Sequence, residues 1–465
     1  MAACLLGACS PGPGQALKVA TGAVTRFVCS QTFVSGEQPG RIYAETFQPI
    51  AGSWAIGWGL RYDVDRARGE VSTSFLGAFT SRAVYRPGIG CTILAEGAPL
   101  PADAVPHFAP VVADLPPIAG PAVVEPADPR LKAALDREFA EPAGGPLRRT
   151  KAVVVVHDGR VIAERYAPGY GIDTPLIGNS LTKSVVNALV GILVREGRLA
   201  VDRPAPVPAW RDPGDPRHGI TLDQLLRMQS GLDLGNSLEA NLASLWNPSN
   251  RMLFIERDMA GFAERAALAA KPGTHWNYAD GSYLIASRII RDAVGGGMAD
   301  VLGFVHRELF APLGIRTATI EFDATGTPVG SAAMLASARD WARFGLLYLG
   351  DGMAGGRRIL PPGWVEYAAQ PTEGAWVGYG AGFWTNRDHS FGAERRLALG
   401  MPRDVFFGRG KFGQYVIVVP SARLVIVRLG TAHGDLEDID GVSRLTAAVI
   451  AIVQEKSAAA TAPRP

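Results

Sequence analysis

The sequence predicts an α+β sandwich: an antiparallel sheet flanked by helices, with a mostly helical half inserted into it and a small β-rich module in front. Three observations predict it. Two strand-like runs, Ala152–His157 and Val161–Tyr166, open a domain-sized stretch, and Asp158-Gly159 between them is a hairpin turn signal. Four more runs close it: Tyr379–Thr385, Val405–Gly408, Tyr415–Val419 and Leu424–Leu429. Between the two sets, from Ser180 to about Leu349, helical spacing dominates. Strands at both ends with helices between imply one sheet joined from distant segments. An active site is expected in the cleft between sheet and helical half.

The elements follow in order. The start reads Met1-Ala-Ala-Cys-Leu-Leu-Gly-Ala-Cys9-Ser, and Leu6-Gly7-Ala8-Cys9 is similar to a bacterial lipobox. No Lys or Arg precedes it and the apolar run is short, so residues 1–18 read as a residual signal segment. The reading gives a lipid anchor at Cys9 and a periplasmic or envelope location; the alternative is an Ala-rich terminus. Residues 19–98 read as the small β-rich module. Gly52–Leu60 and Val71–Phe75 alternate apolar with small or polar residues, and no catalytic constellation stands among them. Cys29 and Cys91 fall in this module, as a disulfide or as two buried thiols. Residues 99–129 carry nine prolines and neither Lys nor Arg, which suits an extended linker or a wrapping arm. The main domain spans 130–455. It opens on a helix through Leu131, Leu135 and Phe139 and closes on one from about Val442 to Gln454. The Ala/Pro tail, 456–465, is expected to be disordered.

Composition excludes several function classes. A net charge of +2 gives no electrostatic reason for nucleic-acid binding. No run of 18 apolar residues suggests a membrane-spanning helix. The seven histidines are scattered without H-E-x-x-H, so no metal is expected, nor any other cofactor. No G-x-S-x-G supports a nucleophile elbow.

Three motifs carry chemistry. Ser180-Leu-Thr-Lys183 opens an apolar helix, with Asn179 or Ser180 as cap, and residues i and i+3 share a face. A serine hydroxyl needs a nearby base, and a desolvated lysine at a helix start can lose its proton and serve. The bland alternative is a capping serine beside a surface lysine. Only one of the seven lysines has Ser three residues before it. Tyr278 lies in the loop Lys271-Pro-Gly-Thr-His-Trp-Asn-Tyr278-Ala-Asp280, where a phenol near a lysine can relay protons. Taken alone, such a tyrosine is more often structural, as are His275 and His433. Gly408-Arg-Gly410-Lys411-Phe-Gly413-Gln414 fits G-x-G-x-x-G but opens a strand rather than a helix, which argues against a nucleotide. Lys411-x-Gly413 at a strand edge suits substrate approach, with the next N–H aimed at an oxyanion and the lysine drawing a substrate carboxylate.

Ser180-x-x-Lys183, Tyr278-x-Asp280 and Lys411-x-Gly413, in that order, resemble the penicillin-binding and class C β-lactamase superfamily. Ile220–Leu232, Ser337–Tyr348 and Gly410–Gln414 are similar to its 6-aminohexanoate-dimer hydrolase branch. The resemblance covers about residues 130–455 and leaves out the N-terminal module. It implies a β-lactamase/transpeptidase-like fold and an acyl-enzyme on Ser180. It also implies Lys183 and Tyr278 as the proton-transfer pair, an oxyanion hole from Ser180 and Gln414, and substrate contacts from Asp280, Lys411 and Gly413. The expected substrate is a small amide or ester. Asp280 departs from the superfamily's usual asparagine. An acid there either disfavours an anionic substrate or pairs with a cation such as Lys183, so poor β-lactam turnover is expected. A D-Ala-D-Ala peptidase, a β-lactamase and a non-catalytic envelope binding protein on the same fold remain alternatives.

Overall fold

The computed structural model describes residues 12–94, 105–108, 112–239, 241–434 and 437–461, with side chains up to Lys456. Cys9 and the lipobox lie outside the described residues. The central sheet has six antiparallel strands, in the spatial order Trp384–Thr385, Phe406–Gly410, Gln414–Val419, Leu424–Gly430, Thr150–His157, Arg160–Tyr166. The chain therefore closes the sheet by laying its late strand Leu424–Gly430 against the early strand Thr150–His157. Both strands are buried on nearly every residue because helices cover both faces. Ala338–Leu349 packs on one face, and Gly345 lets it approach: a Cβ there would lie 2.5 Å from Val425 Cγ1. Pro129–Phe139 and Ile439–Thr461 pair on the other. The last helix runs past the expected boundary at Lys456 because Ala458–Ala460 are strong helix formers.

Tyr379–Thr385, read as a strand, contributes only Trp384–Thr385. Gly378 and Gly382 both hold positive φ and fold the segment back on itself, so that Tyr379 bridges Trp384. The Pro-rich arm, where described, wraps the sheet edge: Val161 donates to the Ile118 carbonyl and Glu164 to that of Val124.

The N-terminal module departs most from the sequence reading. Residues Pro13–Phe33 form a helix, not strands. Its Val and Thr residues imitate a strand pattern, yet Pro13 at the first turn and the burial of Ala16, Val19, Ala20, Val24 and Val28 follow helical spacing. Gly52–Leu60 is mostly turns and the short helix Trp54–Gly57. The β content lies in a meander, Leu60–Asp65, Glu70–Phe75, Ala78–Arg86 and Gly90–Leu94, paired in sequence order. Cys29 on the helix and Cys91 on the last strand form a disulfide across a Cα–Cα span of 6.1 Å. The module docks on the main domain through a buried ion pair, Lys151 Nζ to Glu37 Oε2 at 2.8 Å, with the Tyr170 hydroxyl donating to the same oxygen.

Candidate functional site

Ser180 immediately precedes the helix Leu181–Arg195. Asn179, just before it, holds φ of +47°, in the left-handed region that asparagine adopts more readily than most side-chain-bearing residues. The Asn179 amide donates to the Lys411 carbonyl at 2.9 Å and fixes that turn. Ser180 occupies the cap position, but its hydroxyl caps nothing. It accepts a hydrogen bond from Lys183 Nζ at 2.8 Å.

Lys183 is 1% exposed, and its ammonium has three oxygen partners. Besides Ser180 Oγ these are the Ser331 carbonyl at 2.8 Å and Asp280 Oδ1 at 2.5 Å. Burial by itself would lower the lysine's pKa; the Asp280 carboxylate, and after it Tyr278, outweigh burial and raise it. Lys183 is thus an ammonium at neutral pH, which corrects the expectation of a lysine stripped of its proton by desolvation. Asp280 opens the helix Asp280–Val294 and is itself buried. Its second oxygen accepts from Ser249 Oγ at 3.2 Å, and its N–H donates to Ser237 Oγ at 3.0 Å. Of the two roles expected for Asp280, the structure shows the pairing with Lys183.

The Tyr278 ring centroid lies 4.8 Å from Lys183 Nζ. The ring is held edge-on to Tyr379 and beside Trp384, with centroids 5.6 and 5.9 Å away. Ser180, Lys183, Tyr278 and Asp280 are therefore one constellation, brought together from two helix starts and a loop.

The third motif is placed differently from its reading. Strands Phe406–Gly410 and Gln414–Val419 are joined by the turn Lys411-Phe412-Gly413. A Cβ on Gly410 would sit 2.0 Å from the Gly178 carbonyl oxygen, so the hairpin presses on the segment carrying Ser180. Lys411 lines the cleft; Gly413 and Gln414 do not. Gly413 turns its carbonyl to Arg428 Nη1 at 2.7 Å. Gln414 is 1% exposed and registered against Gly410 in the ladder. Its side chain bonds the Phe412 and Gly430 carbonyls and accepts the Gly430 N–H. The Gln414 side chain thus belongs to the hairpin's own scaffold, as does the Gly413 carbonyl. The tight turn brings Lys411 forward instead, which linear spacing could not reveal. The Lys411 amine, pushed down by burial with partial opposition from Glu437 and Asp280, donates to the Glu239 carbonyl at 3.4 Å. His433, expected to be structural, sets Nε2 2.7 Å from the Glu45 carbonyl. His275 is exposed on the Tyr278 loop.

Two cavities meet at Ser180. The larger, about 470 Å³, includes Tyr278, Trp376, Arg395 and Arg409 in its wall. The smaller, about 180 Å³, includes Asn179 and Asp280 and runs along the N-terminal helix. Pro49, Ile50 and Ala51 close part of the larger one. Sequence reading missed this N-terminal wall, since its residues carry no motif and only tertiary docking brings them to Ser180.

Residues 135–449 match the β-lactamase family model. A 6-aminohexanoate-dimer hydrolase from Paenarthrobacter ureafaciens is 26% identical over 303 residues, which cover 61% of this chain and 72% of that protein. A solved structure from Bacillus anthracis, provisionally named 6-aminohexanoate-dimer hydrolase, is 25% identical with a TM-score of 0.54, covering 76% of this chain and 89% of that one. A penicillin-binding protein homologue from Caulobacter crescentus shares the fold at 18% identity and a TM-score of 0.54, covering 71% of this chain and 99% of that one.

Proposed function

The chain belongs to the β-lactamase family of serine hydrolases, and we propose that it cleaves small amides or esters through an acyl-enzyme on Ser180 and turns over β-lactams poorly. The observation that carries the reading is the 2.8 Å contact between Lys183 Nζ and Ser180 Oγ inside a buried cluster that also holds Tyr278 and Asp280.

Each group then has a role. The Lys183–Tyr278 pair takes up the Ser180 proton, with Tyr278 as the acceptor, as Oγ attacks the substrate carbonyl. The Lys183 ammonium compensates the charge moving between the two oxygens, and Asp280 keeps it charged and in place. Ser180 and Lys411 both line the cleft, and their backbone N–H groups are the proposed receivers of the oxyanion of the tetrahedral intermediate. Tyr278 returns the proton to the leaving amine or alcohol, and an incoming water repeats the sequence to release the acid. Because Asp280 is committed to Lys183, the proposed discrimination against β-lactams rests on shape: the N-terminal module lines the cavity beside Ser180. The names of the two aminohexanoate-hydrolase relatives support an amide or ester substrate. The Cys29–Cys91 disulfide supports export to an oxidising envelope compartment, with Cys9 as the proposed anchor.

The test is kcat/KM for nitrocefin against p-nitrophenyl acetate, p-nitrophenyl butyrate and short linear amides. The expected result is nitrocefin slower than the best of these by about a hundredfold or more. Nitrocefin faster by orders of magnitude would make the chain a β-lactamase.

A further inference from the structure

The smaller cavity has a wall that the family match does not cover. Val19, Ala23 and Phe27 of the N-terminal helix, and Phe47 after it, face Leu245 and Leu253 of the helical half across about 180 Å³. An apolar cavity of roughly 150 Å³ holds a benzene-sized molecule, so this one has room for a chain of about six carbons.

Arg26 is the charged group of the N-terminal wall; Asp280 and Lys411 line the cavity from the side of Ser180. Arg26 lines the cavity, is 6% exposed, and has an Nη2 with no hydrogen-bond partner among the described residues. Leaving a buried guanidinium donor unpaired is costly. The carboxylate nearest to it is Glu321, whose Oε2 lies 3.8 Å from Arg26 Nε, too far for a hydrogen bond. Glu321 spends its other oxygen on Ser30 Oγ at 2.6 Å and the Cys91 N–H at 2.9 Å. Burial pushes the Glu321 carboxyl up against the pull of Arg26, and its Oε2, like Arg26 Nη2, has no hydrogen-bond partner among the described residues. Asp280 also acts on Arg26 electrostatically but is committed to Lys183.

The two cavities also divide the substrate. Tyr278 lines only the larger one, and the leaving group must take its proton from Tyr278 on the proposed mechanism. The leaving group therefore departs through the larger cavity, and the acyl group lies in the smaller. We propose that this smaller cavity is an acyl subsite built by the N-terminal module, and that it takes an aliphatic acyl chain of about six carbons bearing a carboxylate, which Arg26 receives. The assignment rests on Ser180 being the acylated nucleophile.

The experiment compares p-nitrophenyl hexanoate with the mono-p-nitrophenyl ester of adipic acid, which differ in the terminal carboxylate. The wild-type enzyme should favour the adipate ester in kcat/KM by about tenfold or more. Arg26→Met should erase that preference. Ala23→Phe, which fills the cavity, should lower kcat/KM for both six-carbon esters by about tenfold more than for p-nitrophenyl acetate. Free adipate should inhibit the wild-type enzyme competitively at concentrations where hexanoate does not, a measurement that needs no variant. Equal turnover of the two esters by the wild type, or an equal loss on all esters in Arg26→Met, would overturn the subsite and leave Arg26 as the partner of Glu321 alone. Ser180-dependent turnover of acetate and butyrate without a carboxylate preference defeats the subsite only. Turnover that survives Ser180→Ala defeats the hydrolase reading and the subsite with it.

Discussion

The catalytic wall of the cleft and the N-terminal wall differ in how their residues reach Ser180. On the catalytic wall, Lys183 sits one helical turn from Ser180, and Tyr278 and Asp280 are two residues apart at another helix start. Local geometry fixes them, so their spacing is visible in the chain. On the N-terminal wall, Arg26, Phe27 and Ile50 arrive through the docking of a separate module, whose contacts include Glu37–Lys151, Ser30–Glu321 and Phe27–Phe412. Reaction chemistry is thus written in short periods, whereas the shape of the substrate space is written in docking. Removing catalytic groups should stop the reaction on every substrate. Disturbing the N-terminal wall should change stability or substrate choice.

The largest expected effect is on the catalytic wall. Lys183→Ala and Tyr278→Phe should each lower kcat/KM about a thousandfold, and the double variant should fall little further, because the two groups act as one proton-transfer unit. Steady-state kinetics of the three variants decide it; multiplying losses would make one of the pair merely structural.

Next is the disulfide, which ties the helix bearing Arg26 to the meander. The loop it closes spans 62 residues, for which chain entropy gives about 4 kcal/mol as an upper figure. Cys29→Ser with Cys91→Ser should lower thermal stability with little direct effect on Lys183, Tyr278 or Asp280. A melting temperature equal to wild type would show that docking, not the bridge, holds this wall.

The smallest effect separates electrostatics from placement. Asp280→Asn keeps the shape but removes the carboxylate that raises Lys183. The lysine then releases its proton at lower pH, so the alkaline limb of the kcat/KM profile should move to lower pH. The rate at the optimum should fall by roughly ten- to a hundredfold. An unmoved limb would show that Asp280 only positions Lys183.

What was legible in the sequence follows the same division. The hairpin at Asp158-Gly159 and the strands from Phe406 onward are readable because turn chemistry and burial agree locally. The helix Pro13–Phe33 was not, since its Val and Thr residues satisfy both periodicities until a sheet covers one face. Gln414 misled for a related reason. Its position after Lys-x-Gly suggests a residue at the cleft, but its side chain is tied into the hairpin opposite Gly410, and the turn brings Lys411 to the cleft. The protonation of Lys183 also lay beyond local reading. Burial and an acid were both foreseeable, but which prevails depends on a 2.5 Å contact with Asp280 across two helices.

The central claim, that Ser180 is the acylated nucleophile, is tested most directly by intact and peptide mass spectrometry after treatment with a fluorophosphonate probe. The account predicts one adduct per chain, located on the peptide containing Ser180 and absent from Ser180→Ala. An adduct on another residue, or equal labelling of Ser180→Ala, would contradict it.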